Sequence, residues 1–82
     1  MGKTMLTGKV RVYRSNVSRK YKVVYNGHKL YITPLEVKTE DGTTIAVGNI
    51  AALLFWSIMM RNENVLRELL PRMIYVAFLL SQ

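Results

Sequence analysis

Asn26-Gly27 lies between two runs of alternating apolar and polar residues, Tyr21 to Tyr25 and His28 to Thr33, and this arrangement constrains the chain more than any other feature. A two-residue type I′ turn needs positive φ at both central positions, which Asn and Gly tolerate best, and its twist matches that of the strands it joins. The turn sets a register: Tyr25 opposite His28, Val24 opposite Lys29, Val23 opposite Leu30, Lys22 opposite Tyr31, and Tyr21 opposite Ile32. One face of the hairpin is then apolar (Tyr21, Val23, Leu30, Ile32). The other carries Lys20, Lys22, Lys29 and Tyr31, with Val24 as its odd member.

Lys9-Val10-Arg11-Val12-Tyr13 alternates in the same way and predicts a preceding strand with Val10 and Val12 inward and Lys9, Arg11 and Tyr13 outward. Arg14 to Arg19 reads as a polar loop. After Pro34, which a central strand does not tolerate, a second hairpin is expected around Asp41-Gly42. A two-residue turn there would set Val37 opposite Ala46 and mix polar with apolar residues on each face. A three-residue loop of Glu40, Asp41 and a left-handed Gly42 pairs Val37 with Ile45 and Leu35 with Val47, and is preferred because it keeps the faces clean.

Gly48-Asn49 ends the strands, with Asn49 as the expected cap of a helix from Ile50 to Arg61. Its wheel is apolar almost all round, leaving Ser57 and Arg61 as a thin polar strip. Asn62 to Asn64 connect to a second helix, supported by the acid-first pairs Glu63/Arg67 and Glu68/Arg72 four residues apart. Val65, Leu66, Leu69, Leu70 and Met73 form its apolar side. Pro71 predicts a kink or a fresh helix start, and Met73 to Leu80 continues as helix, although its β-branched and aromatic content would also suit a closing strand.

The expected fold is therefore α+β in one domain over residues 1–82: an antiparallel β-meander of four or five strands (about 7–47), able to curl into a partly open barrel, then a C-terminal helical hairpin (about 49–80). Eighty-two residues suffice for one small core and not for two.

Charge and hydrophobicity divide along this chain. The first 29 residues hold eight Lys or Arg and no acid, whereas the remainder nets −1 and the whole chain +7. Of the 36 residues from Ile45 to Leu80, 25 are apolar or aromatic. Ile50 to Met60 and Met73 to Leu80 are too short to span a bilayer, which takes about 20 residues, and seven polar or charged residues separate them. With no cysteine, disulfides and thiolate metal sites are excluded and a reducing compartment, the cytoplasm, is expected. The N-terminus has no apolar run of a secretory signal, and Leu6 occupies the position where a myristoylation motif requires Ser or Thr. Asn16-Val17-Ser18 matches a glycosylation sequon only as a chance loop sequence.

Catalysis has few candidates. His28 is a turn residue, the five carboxylates are dispersed, and no phosphate loop, nucleophile motif or metal spacing is present, so no catalytic residue, cofactor or metal is expected. The outward face of the meander is the stronger signal. Lys9, Arg11, Tyr13, Lys20, Lys22, Lys29 and Tyr31, extended by Arg14, Arg19 and Lys3, combine cations that neutralise phosphates with rings on which bases can stack. The plain alternative is a solvated face in which Lys protects the sheet from edge pairing. Phe55, Trp56, Met59, Met60, Phe78 and Leu79 exceed what a small meander covers and suggest a partner interface.

Three functions fit these readings. The first is a non-enzymatic RNA-binding protein, of the kind associated with ribosomes or other ribonucleoproteins. The second is a DNA-binding protein, chromatin-like or regulatory, dimerising through its C-terminal helices. The third is a membrane-surface or protein-interaction module.

Overall fold

The computed structural model describes the backbone of Gly2–Thr7 and, in full, residues 10–15 and 19–82. Six strands, β1 (Gly2–Thr7), β2 (Val10–Arg14), β3 (Tyr21–Tyr25), β4 (His28–Ile32), β5 (Glu36–Thr39) and β6 (Thr44–Val47), precede two helices, α1 (Asn49–Met59) and α2 (Glu63–Leu80). The strands pair antiparallel in chain order, leaving β1 and β6 as the edges of an open sheet. The expected meander and helical hairpin are both present, with more strands than the four or five anticipated. The additional strand is β1, where Gly2 to Thr7 lacks the alternation that marks β2.

The central hairpin turns at Asn26 (φ 50°) and Gly27 (φ 83°), and its five pairs follow the register set by that turn, from Tyr25 with His28 to Tyr21 with Ile32. Their inward side chains, Tyr21, Val23, Leu30 and Ile32, join Val10, Val12, Val37 and Ile45 in a core closed by Ala51, Leu54, Phe55 and Ile58 of α1 and Leu66, Leu70 and Met73 of α2. A slip of one residue would send each of these strand side chains to the opposite face.

The β5–β6 hairpin corrects the sequence reading in part. Near the turn the three-residue loop holds: Gly42 is left-handed (φ 89°), the Thr39 amide donates to the Thr43 carbonyl (2.9 Å), and Lys38 stands opposite Thr44. The register then shifts, so that Val37 faces Ala46 and Glu36 faces Val47. The irregularity lets Val37 and Ile45 both stay buried, which a strict ladder with that pairing would not allow. Leu35 and Val47, expected as an inward pair, are both exposed. Asp41 organises the turn, accepting hydrogen bonds from the Thr39 hydroxyl and the Thr43 amide. These bonds favour the ionised carboxylate and hold its pKa below the usual Asp value.

Gly48, not Asn49, caps α1. Its φ of 67° and ψ of −136° turn the chain from β6 into the helix, a backbone region that glycine alone adopts without strain, and its carbonyl accepts from the Ala52 amide (3.0 Å). Asn49 is therefore already helical. Ser57 is buried rather than part of an outward polar strip, because its hydroxyl donates to the Leu53 carbonyl at 2.7 Å and needs no water.

At the far end of α1, Arg61 adopts φ 54°. The Asn62 amide donates to the Ser57 carbonyl (2.9 Å) and the Arg61 amide to the Ile58 carbonyl (3.1 Å), a Schellman closure. Asn62 then caps α2 by accepting from the Val65 amide. The Glu63–Arg67 and Glu68–Arg72 pairs form as the spacing implied. The helix continues through Pro71 to Leu80: the proline is exposed, so the carbonyl it leaves without an amide donor can be hydrated. Residues 73–80 are thus helix, not a closing strand. Among the described residues no helix is long and apolar enough to cross a membrane.

Two outcomes test these local devices. Arg61→Gly relieves a left-handed conformation in a non-glycine residue and should raise unfolding stability by about 0.5–1 kcal/mol in urea titrations. Because the folded-state pKa of Asp41 is lowered, its stabilising contribution is present above the unfolded carboxylate pKa and is lost as pH falls through the folded value. Asp41→Asn should therefore show a smaller drop in Tm than the parent on acidification from neutral pH through the carboxylate range.

Candidate nucleic-acid interface

Antiparallel registers carry one row of residues straight across the outward face of the sheet. Tyr13 pairs with Lys22, Lys22 with Tyr31, and Tyr31 with Lys38, while Lys3 of β1 occupies the register position opposite Tyr13. The row alternates ring and cation over four adjacent strands. At about 4.8 Å per strand its two tyrosines are roughly 10 Å apart and the row from Tyr13 to Lys38 spans about 14 Å. Lys22 Nζ lies 5.5 Å from the centre of the Tyr13 ring, so this lysine folds over its cross-strand neighbour.

Two further rows flank the first. Arg11 faces Val24, and Val24 faces Lys29. On the other side, Lys20 accepts from the Ser15 amide through its carbonyl, and Thr33 donates its amide to the Glu36 carbonyl (2.9 Å). Both helices pack on the opposite face, which leaves these rows open to solvent with the tyrosines partly exposed.

The acid-free character of the N-terminal segment does not extend to the whole surface. Strand β5, adjacent to β4, and the turn that follows it bring two carboxylates onto it: Glu40 pairs with Lys29 (3.3 Å) and Glu36 with Lys38 (3.5 Å). Both pairs are solvated, and each is worth less than about 1 kcal/mol. They nevertheless lower the local potential at the β5 side. Arg11, Lys20 and Lys22 have no carboxylate partner among the described residues, so positive potential concentrates over β2 and β3.

Arg14 and Arg19 lie elsewhere. Arg14 stands opposite the inward-facing Tyr21, and the Arg19 guanidinium sits 5.7 Å from the centre of the Phe55 ring. With Lys20, Tyr21 and Met59 they line a cleft of about 210 Å³ at the helix-side rim of the sheet. They extend the basic character around the β2–β3 end and do not join the Tyr/Lys row. Lys9 falls outside the described residues. Lys38 was absent from the sequence-derived set; the signal for it was the register carried across Pro34 into β5.

No family model matches this chain, and comparison with curated proteins and with solved structures returns no match.

The second sequence-derived set divides. Phe55 is core, only 3% exposed and packed on Tyr21 with ring centres 5.2 Å apart. Trp56, Met59, Met60, Phe78 and Leu79 are exposed, and so are Ile50 and Leu53 on the same side of α1 and Tyr75 and Leu80 near the end of α2. Ile50 and Leu53 lie seven and four residues before the buried Ser57, on its side of the wheel, and are exposed because Ile50 stands in the first turn of α1 and Leu53 on the flank toward Trp56 and Met60. His28 remains an exposed turn residue, on the rim of a groove of about 710 Å³ between the strand ends and the last turns of α2. Among the described residues no three His, Asp or Glu side chains gather as metal ligands would.

Proposed function

We propose that this chain is a non-enzymatic nucleic-acid-binding protein that holds single-stranded RNA along the outward face of its sheet, as a small component of a ribonucleoprotein such as the ribosome. The observation that carries the reading is the cross-strand row Tyr13–Lys22–Tyr31–Lys38. Rings at the surface of a sheet suit bases that are free of a duplex, because such bases can splay onto them while neighbouring ammonium groups neutralise phosphates. Tyrosine hydroxyls also offer donors and acceptors to a 2′-hydroxyl, which favours RNA over DNA. A cytoplasmic setting belongs to the same proposal.

Duplex DNA suits the geometry less well. A β-ribbon that enters a major groove has to project, whereas β3 and β4 are each flanked by a further strand, β2 and β5.

Fluorescence anisotropy with matched single-stranded RNA, single-stranded DNA and duplex DNA across a salt series tests the proposal. Single-stranded RNA should bind tightest, with a log–log salt slope of about −0.7 per phosphate neutralised. Replacing Arg11, Lys20, Lys22 and Lys29 together by Gln should flatten that slope. Tyr13→Ala and Tyr31→Ala should each weaken binding by about 1–3 kcal/mol and leave the slope unchanged, since stacking releases no counterions. Absence of binding to all three ligands at low salt overturns the proposal.

A further inference from the structure

Helix α1 is apolar on both sides. Its inward side, Ala51, Leu54, Phe55 and Ile58, belongs to the core, and its outward side presents Ile50, Leu53, Trp56, Met59 and Met60, each 45–73% exposed. From Asn49 to Met60 the sequence contains no charged residue. A helix with one face in water normally sets charged residues there. Contiguous apolar patches beyond a few hundred Å² mark interaction sites.

We propose that the stripe of Ile50, Leu53, Trp56, Met59 and Met60 is the surface through which two copies of this chain associate, with their α1 helices antiparallel about a two-fold axis between Leu53 and Trp56. The axis divides the stripe evenly, so Ile50 of one copy meets Met59 of the other and Leu53 meets Trp56, the self-complementarity that a two-fold interface requires. Large side chains offer roughly 200 Å² each. At the observed exposures five of them contribute about 500–600 Å² per copy, or about 1,100 Å² for the pair, just above the roughly 1,000 Å² that a specific interface needs.

Charge placement supports this orientation. Arg14, Arg19 and Lys20 gather beside Phe55 and Met59 in the C-terminal half of α1, and Arg61 follows its end. Antiparallel packing sends Arg61 of the two copies to opposite ends, roughly 20 Å apart at about 1.5 Å per residue and beyond the Debye length of about 8–10 Å at physiological salt, whereas parallel packing would bring them together. A membrane surface suits the stripe less, since an interfacial helix turns a charged face to water whereas the other face of α1 is protein core. The association leaves both outward sheet faces free and is independent of the nucleic-acid reading.

Sedimentation velocity on the full chain at micromolar concentration should give about twice the 9.5 kDa of one copy. Emission from Trp56, the one tryptophan, should shift to the red as dilution dissociates the pair. The double variant Leu53→Glu, Trp56→Glu should weaken association on the order of 100-fold while keeping the far-ultraviolet circular dichroism of the parent. Met60→Lys, at the most exposed position of the stripe, should weaken it too and provides a milder variant should the double one fail to fold. A monomer whose Trp56 emission is unchanged on dilution overturns the proposal. So does a pair that persists in a folded Leu53→Glu, Trp56→Glu variant, or a monomer that co-sediments with phosphatidylserine vesicles.

Discussion

The two-residue turn at Asn26-Gly27 sets the side-chain parity of the whole sheet. With Tyr25 held opposite His28, Val23 and Leu30 must share one face and Lys22 and Tyr31 the other. Strand β2 takes its parity from β3 and β5 takes its own from β4, so the assignment of core and surface spreads outward from one hairpin. Two distinct surfaces result. Valines, leucines and isoleucines on one side recruit the helices, and a row of tyrosine and lysine is left on the other.

The helices complete the core but do not end the demand for burial. Leu54 and Leu70 are fully enclosed, yet α1 keeps a second apolar side in solvent and the last turns of α2 leave Tyr75, Phe78 and Leu80 exposed. A small domain buries only about 60% of the surface its unfolded chain exposes, which leaves little core to absorb such residues. The two surfaces therefore suit two kinds of partner. The sheet presents the charge and rings that the proposed polyanion partner requires, and α1 the uncharged hydrophobic surface that the proposed self-association requires.

Much of this was legible because it rests on local rules. The Asn26-Gly27 register, the inward Val10 and Val12, the Glu–Arg pairs of α2 and the left-handed Gly42 all follow from turn chemistry and periodicity. What escaped depended on long-range compromise. The shift that buries both Val37 and Ile45 is set by the core, which no hairpin rule contains. Ser57 faces inward because it satisfies its hydroxyl on the Leu53 carbonyl, an option a helical wheel cannot weigh. Charge counted along the chain misjudged the outward face for a similar reason: Glu36 and Glu40 are distant in sequence from Lys20 and Lys22 but enter their surface when β5 pairs with β4. Arg14 and Arg19 were grouped with the sheet face by sequence proximity, whereas alternation and the Phe55 ring carry them around its edge.

The proposed division of labour between the faces can be tested directly by following backbone amide shifts in a ¹⁵N-labelled sample titrated with oligouridine. The largest changes should fall on Arg11, Tyr13, Lys20, Lys22 and Tyr31, with Leu53, Trp56 and Met60 little affected. Changes centred on α1, or spread evenly over both faces, would contradict the account.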